Sequence, residues 1–244
     1  MMRFYRLFWF QFKLYASNQY FLWLTLSSTT AIFWLQYLSA YAANDLSNPH
    51  IWLRSGVFGL WASATTAVGS IGFQRFQGTL PYLVNGRLDA RIALLTVILP
   101  AASFGLLAFP LAYLWAIILG VTHGGLTLSL IGSILCLWLA ASLMDLLIAG
   151  FFVLTPNALV YEDLLMVPIL LACGLFGTFP GLTAITQITW WLIPIGTPIN
   201  AILTNHPLAW APMITSMLLW GGLTWRLTRY LLRRAKRSGL LGVM

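Results

Sequence analysis

Residues 92–119 contain no Asp, Glu, Lys or Arg, although Pro100 and Pro110 interrupt them. A helix rises about 1.5 Å per residue, so an unbroken helix of that length exceeds the roughly 30 Å of hydrocarbon in a bilayer. Such a segment has no charged face to offer water, and its surplus length and two prolines predict a tilted or kinked span. The rest of the chain repeats the theme. Residues 20–43 are uncharged, 51–73 carry only Arg54, and 126–154 carry only Asp145. Two further apolar runs, 164–183 and 208–225, complete a set of six. With 60% hydrophobic and 7% charged residues, against about a quarter charged in soluble domains, the 244 residues read as an all-α integral membrane protein with six transmembrane helices. No polar interval reaches the about 50 residues a separate domain needs, so 1–244 is a single membrane domain.

The charges set its direction. Basic residues gather on the cytoplasmic side of membrane proteins. With the amino terminus inside, Arg3, Arg6 and Lys13, then Arg75, Arg87 and Arg91, then the six bases of 226–237 all fall there, which is twelve of thirteen. Both termini are therefore expected in the cytoplasm. The net charge of +8 is spent at membrane edges, where it fits orientation and contact with anionic membrane lipid rather than nucleic acid. Residues 1–18 form an expected interfacial helix, since Lys13 breaks the apolar core that a signal peptide requires. The basic tail repeats Arg226, Arg229, Arg233 and Arg237 near one helical face, and like charges in a stripe call for something anionic beside them.

Several residues draw attention singly. Arg54 lies one turn from the outer end of its span, where it snorkels or meets Asp45, or else contacts substrate. Asp145 lies within a span, where an acid is expensive; it is either functional or bonded to a neighbouring helix or the inner headgroups. His123, in the outer turn 120–125, has no acidic or second His neighbour and is expected to be solvated rather than metal-bound. Glu162 and Asp163 open the helix after the second inner loop, where the helix dipole favours acids. Residues 184–207 are apolar yet broken by Pro194, Gly196, Pro198 and Pro207, a pattern of re-entrant or interfacial half-helices before the last span. Cys136 and Cys173 sit in apolar segments and read as small hydrophobes.

The polar interval 74–91 stands between the second and third runs. Within it Thr79 suits a helix cap, Pro81 a first turn, and Leu80, Leu83 and Val84 recur at helical spacing. Gly78-Thr79-Leu80, followed by Leu83 and an Arg, just after the second span, resembles the coupling-helix region of the type-2 family of ABC transporter permeases. That family has acid-Arg-acid-Arg before Gly-Thr-Leu-Glu; here Gln74 and Phe76 replace acids, Gln77 replaces Arg, Pro81 replaces Glu, and Arg87 stands near the usual Pro. The resemblance implies a permease in a bacterial cytoplasmic membrane, multi-pass, paired with a second permease chain, identical or related. It implies two copies of an ABC ATPase subunit docked on 74–91, with Gln77, Gly78, Thr79, Leu80, Leu83, Val84, Asn85 and Arg87 as the ATPase-coupling residues. It further implies that the amino-terminal helix helps seat the ATPase and that 184–207 closes the exit.

The chain itself carries no catalytic apparatus. It has no glycine-rich loop ending in Lys-Ser/Thr, no His-Glu-x-x-His, no Gly-x-Ser-x-Gly and no Cys-x-x-Cys. It is therefore expected not to be an enzyme and to hold no cofactor or metal, with ATP and Mg belonging to the partner ATPase. The expected function is the membrane-spanning subunit of an ABC exporter moving a hydrophobic or amphipathic substrate such as a peptide, lipid-like molecule or drug. The alternatives are a non-transporting membrane interaction or immunity protein, and a secondary carrier using Asp145.

Overall fold

The computed structural model describes residues 2–86, 88–121, 124–154, 167–177 and 183–237, and every regular element among them is a helix. In chain order these are α1 (Met2–Asn18), α2 (Tyr20–Ala42), α3 (His50–Phe76), α4 (Leu80–Val84), α5 (Ala90–Ser103), a 3₁₀ turn (Phe104–Leu107), α6 (Ala108–Ile118) and α7 (Leu128–Phe152). Residues 167–172 are helical, followed by α8 (Thr183–Leu192), α9 (Gly196–Thr204) and α10 (Trp210–Arg237).

Among the described residues three helices are long and apolar enough to cross a membrane: His50–Phe76, Ala90–Ile118 and Leu128–Phe152. They match the runs expected at 51–73, 92–119 and 126–154. The run 20–43 is helical over α2's 23 residues but is not one of these three. The run 208–225 forms the first part of α10, whose later turns are basic. Of the run 164–183, residues 164–166 and 178–182 lie outside the described residues, as do His123, Glu162 and Asp163 with the whole of the second inner loop. The broken stretch 184–207 holds two short helices, α8 and α9, joined through Ile193-Pro194-Ile195. Thr197 Oγ1 donates to the Trp190 carbonyl (2.9 Å) and Trp220 Nε1 to the Leu192 carbonyl (2.6 Å), so the freed backbone acceptors at the break are taken up by side chains.

Helix α3 is the axis of the bundle, packed against α2, α5, α6 and α7. Small residues let it sit there. A Cβ on Gly59 would stand 1.9 Å from Thr29 Oγ1, and one on Gly105 would stand 2.9 Å from the Leu60 carbonyl. Backbones that approach so closely gain dispersion contacts that larger side chains would prevent. Trp52 and Trp61 are fully buried alongside, Trp52 edge-on to Tyr113 at 5.3 Å. Several buried hydroxyls bond within their own helices, as in Thr25 to Phe21 (2.8 Å) and Ser55 to Ile51 (2.7 Å).

The third span bends where its prolines require. Pro100 lies inside α5, and the 3₁₀ turn after it restarts the helix so that Pro110 falls in the first turn of α6, where a missing N–H costs nothing. Around the outside, Trp34, Leu35 and Leu38 of α2, Leu128, Ile131 and Leu135 of α7, and Ile214, Leu218 and Leu219 of α10 are exposed. Apolar surface of that extent is foreign to a soluble monomer and natural against lipid.

Candidate functional site

The inner half of the charge pattern becomes one physical end of the bundle. The end of α3, the start of α5, the end of α7 and the middle of α10 meet there, and α1 and α4 lie across it.

Helix α3 stops because Gly78 takes a left-handed turn at φ +69°. The Gly78 N–H then donates to the Arg75 carbonyl (2.9 Å) and the Thr79 N–H to the Gln74 carbonyl (2.9 Å), the paired bonds of a Schellman stop. Thr79 occupies the position before α4, as expected, but its hydroxyl does not cap that helix. It turns back instead, donating to the Gln74 carbonyl (3.0 Å) and to Gln74 Oε1. Pro81 sits in the first turn of α4.

The five residues of α4 point their apolar side inward. Leu80 and Val84 are buried in the common core, while Gln77 and Asn85 are exposed and Gly78, Thr79 and Leu83 are half-buried. Arg87 lies outside the described residues. Two aromatic residues that pattern alone did not single out stand farthest into solvent: Phe76 at 90% and Tyr82 at 80% exposure. Phe76 closes α3 and Tyr82 lies within α4, each an aromatic side chain in the polar interval 74–91, and that was the available signal.

Arginines hold both ends of this loop. Arg75 donates through Nη2 to the Phe152 carbonyl (3.3 Å) and to the Val153 carbonyl, capping the carboxyl end of α7. Arg91 grips Asp89 with two bonds, Nε to Oδ1 (2.9 Å) and Nη2 to Oδ2 (2.6 Å), and donates through Nη1 to the Trp225 carbonyl on α10 (3.2 Å). Its guanidinium lies 3.3 Å from the centre of the Trp225 ring. Asp89 also caps α5 by accepting from the Arg91 N–H (2.9 Å). The Arg91 side chain beside it holds the Asp89 carboxyl down at about 2, despite some burial. The loop is thus fixed at one end to α7 and at the other to α10.

Helix α1 covers the loop's near side. Its Tyr15 and Gln11 are buried against the bundle, and Phe12 stacks on Phe104 at 5.4 Å. Burial pushes the Tyr15 hydroxyl up to about 12. Between α1 and α4 lies a mostly apolar cavity of about 690 Å³, bordered by Arg3, Phe10, Gln74, Tyr82 and Leu83.

The intramembrane charges lie elsewhere. Asp145 on α7 is fully buried. Arg54 is half-buried near the far end of α3; Asp45 accepts from Ser47 (3.0 Å), and no ion pair joins it to Arg54 among the described residues. The tail is not a loose arm. It continues α10, with Leu231, Leu232 and Ala235 buried and Thr228 Oγ1 reaching the Leu146 carbonyl of α7 (3.5 Å). Among the described residues no three His, Cys, Asp or Glu side chains gather into a metal-binding group. The chain matches no protein-family model, no curated protein and no solved structure.

Proposed function

We propose that this chain is the membrane-spanning subunit of an ATP-driven exporter of the type-2 ABC permease kind, with cytoplasmic termini, worked by a separate ATPase that grips the loop 74–91. The observation that carries the proposal is the double tether: Arg75 to the end of α7 and Arg91 to α10. A force applied to a short helix held this way moves two long helices, rather than being absorbed by a slack loop. Rigid-body displacement of packed helices is a common transporter device.

The surface offered to the partner consists of Gln77, Tyr82 and Asn85, with Phe76 at the edge. Leu80 and Val84 transmit, because they are packed into the core. ATP and Mg are held by the partner. Two permease chains enclose the path, α8 and α9 close its outer end, and the apolar outer face of the helices suits a hydrophobic or amphipathic cargo. Purifying the tagged chain from its host in mild detergent is expected to bring with it a protein carrying nucleotide-binding motifs. Recovery of the folded chain alone overturns the proposal.

A further inference from the structure

Just beyond Trp225, the start of α5 and the basic part of α10 enclose a small hollow of about 200 Å³, bordered by Asp89, Ala90, Arg91, Arg229, Leu232, Arg233 and Lys236. Its charges do not balance. The single acid on its border, Asp89, is bonded to Arg91 and only weakly attracts Arg229; among the described residues Arg229, Arg233 and Lys236 form no ion pair. These three are exposed on one face of α10, while the adjoining face, Thr228, Leu231, Leu232 and Ala235, is buried. Packing on α7 therefore fixes the helix in rotation: a Cβ on Gly150 would lie 3.2 Å from Leu231 Cδ1. The three bases cannot swing apart to relieve their repulsion except by side-chain movement.

We infer that this hollow is a binding site for the phosphate of an anionic phospholipid headgroup. The site rests on the membrane reading of the chain and not on the ATPase. Position selects the lipid as source. Trp225 belongs to the aromatic level at which membrane proteins meet headgroups, and Arg91 lies flat on its ring. Arg229, Arg233 and Lys236 follow within three turns, at the depth where a phosphate lies and within the reach of their stems. Arg229 and Arg233 are one helical turn apart, so their forks can converge on a single phosphate with charge-assisted bonds. Basic hollows between helices at the inner membrane edge suit such headgroups, and each base there contributes about 1 kcal/mol of attraction.

The test uses the full chain in uncharged detergent at physiological salt, offered phosphatidylglycerol, phosphatidylcholine or inorganic phosphate, with retained lipid counted by native mass spectrometry and protection read by thermal unfolding. The expected result is one or more phosphatidylglycerol molecules retained per chain in preference to phosphatidylcholine, with little protection by inorganic phosphate. The double substitution R229Q/R233Q should weaken that retention about 30-fold, the equivalent of about 2 kcal/mol. R226Q/R237Q removes the same charge from the same helix outside the hollow and should weaken it only a few-fold. Equal losses in the two variants would mean diffuse attraction to the tail and overturn the site. Equal protection by inorganic phosphate and phosphatidylglycerol would overturn the lipid as its source. If R229Q/R233Q is poorly folded, Lys236→Gln alone, expected to cost about fivefold, decides the same question. None of these outcomes depends on whether an ATPase copurifies.

Discussion

Arg91 gives the sharpest prediction, because its partners are few and separable. Changing it to Met keeps the length and apolar stem but removes the guanidinium. Three interactions go: the fork on Asp89, the bond to the Trp225 carbonyl and the stacking on the Trp225 ring. Lowering the Asp89 carboxyl from 3.8 to about 2 would correspond to about 2.5 kcal/mol at 1.36 kcal/mol per unit. The carboxylate is 40% exposed, however, and solvent screening cuts that to about 1 kcal/mol. The carbonyl bond contributes about 1 kcal/mol more, and the ring contact about 1 kcal/mol. Arg91→Met should therefore cost about 3 kcal/mol. Arg91→Lys keeps the charge but loses the fork and the flat stacking, so about half of that is expected.

Reversible unfolding in mixed micelles, followed by tryptophan fluorescence, measures both. The acid limb checks the cause. A depressed carboxyl pKa contributes stability that is present above the unfolded value and lost as pH falls through the folded one. The wild-type chain should thus lose about 1 kcal/mol between pH about 4 and about 2, and Arg91→Met should lose clearly less there, since only the backbone N–H of residue 91 and the more distant Arg229 still favour the Asp89 carboxylate. A cost below about 0.5 kcal/mol for Arg91→Met, or an unchanged acid limb, would refute the tether at this end.

Two further outcomes follow from the same end of the bundle. Gly78→Ala meets open space but must adopt φ +69°, so unfolding experiments should show a loss of about 1 kcal/mol from backbone strain alone, with Gly78→Asn milder. Arg75→Gln releases the end of α7 without touching the exposed face of α4; on the proposed function, vesicles holding this chain and its ATPase partner should keep most of their ATPase activity while export falls by roughly tenfold, and equal loss of both would show that Arg75 does not transmit.

Much of the fold is legible because it follows from one cost, that of placing charge in hydrocarbon. The run 51–73, which carries only Arg54, and the uncharged run 92–119 end within three residues of α3 and of the bent α5–α6 helix, since charges that flank a span are costly inside a bilayer. The break at 184–207 is equally visible, because proline and glycine act on the backbone whatever surrounds them. The site is less legible. Leu80, Leu83 and Val84 have helical spacing, but spacing does not say whether the apolar side faces a partner or the chain's own core; packing under α3 and α5 decides it for Leu80 and Val84. Gly78 and Thr79 read as part of a recognition tripeptide, yet their conformations serve the end of α3, an effect of φ and of hydrogen bonds to Gln74 that no linear pattern displays.

The arginines make the same point more forcefully. Counting Arg75 and Arg91 as orientation charges treats them as interchangeable, whereas their partners differ in kind. A chain with thirteen bases and five acids cannot pair its cations internally with carboxylates. Arg75 instead takes backbone carbonyls at a helix end, where the dipole favours a cation, and Arg91 takes the one nearby acid together with a carbonyl and a ring. Both solutions consume acceptors that the fold leaves open, and each helix has only one carboxyl end to offer. The bases of α10 come after those acceptors are used. Arg229, Arg233 and Lys236 are held in one orientation by the packing of Leu231, Leu232 and Ala235, and among the described residues the one acid beside them, Asp89, already holds Arg91, so a headgroup phosphate is the balancing charge that the proposed site supplies.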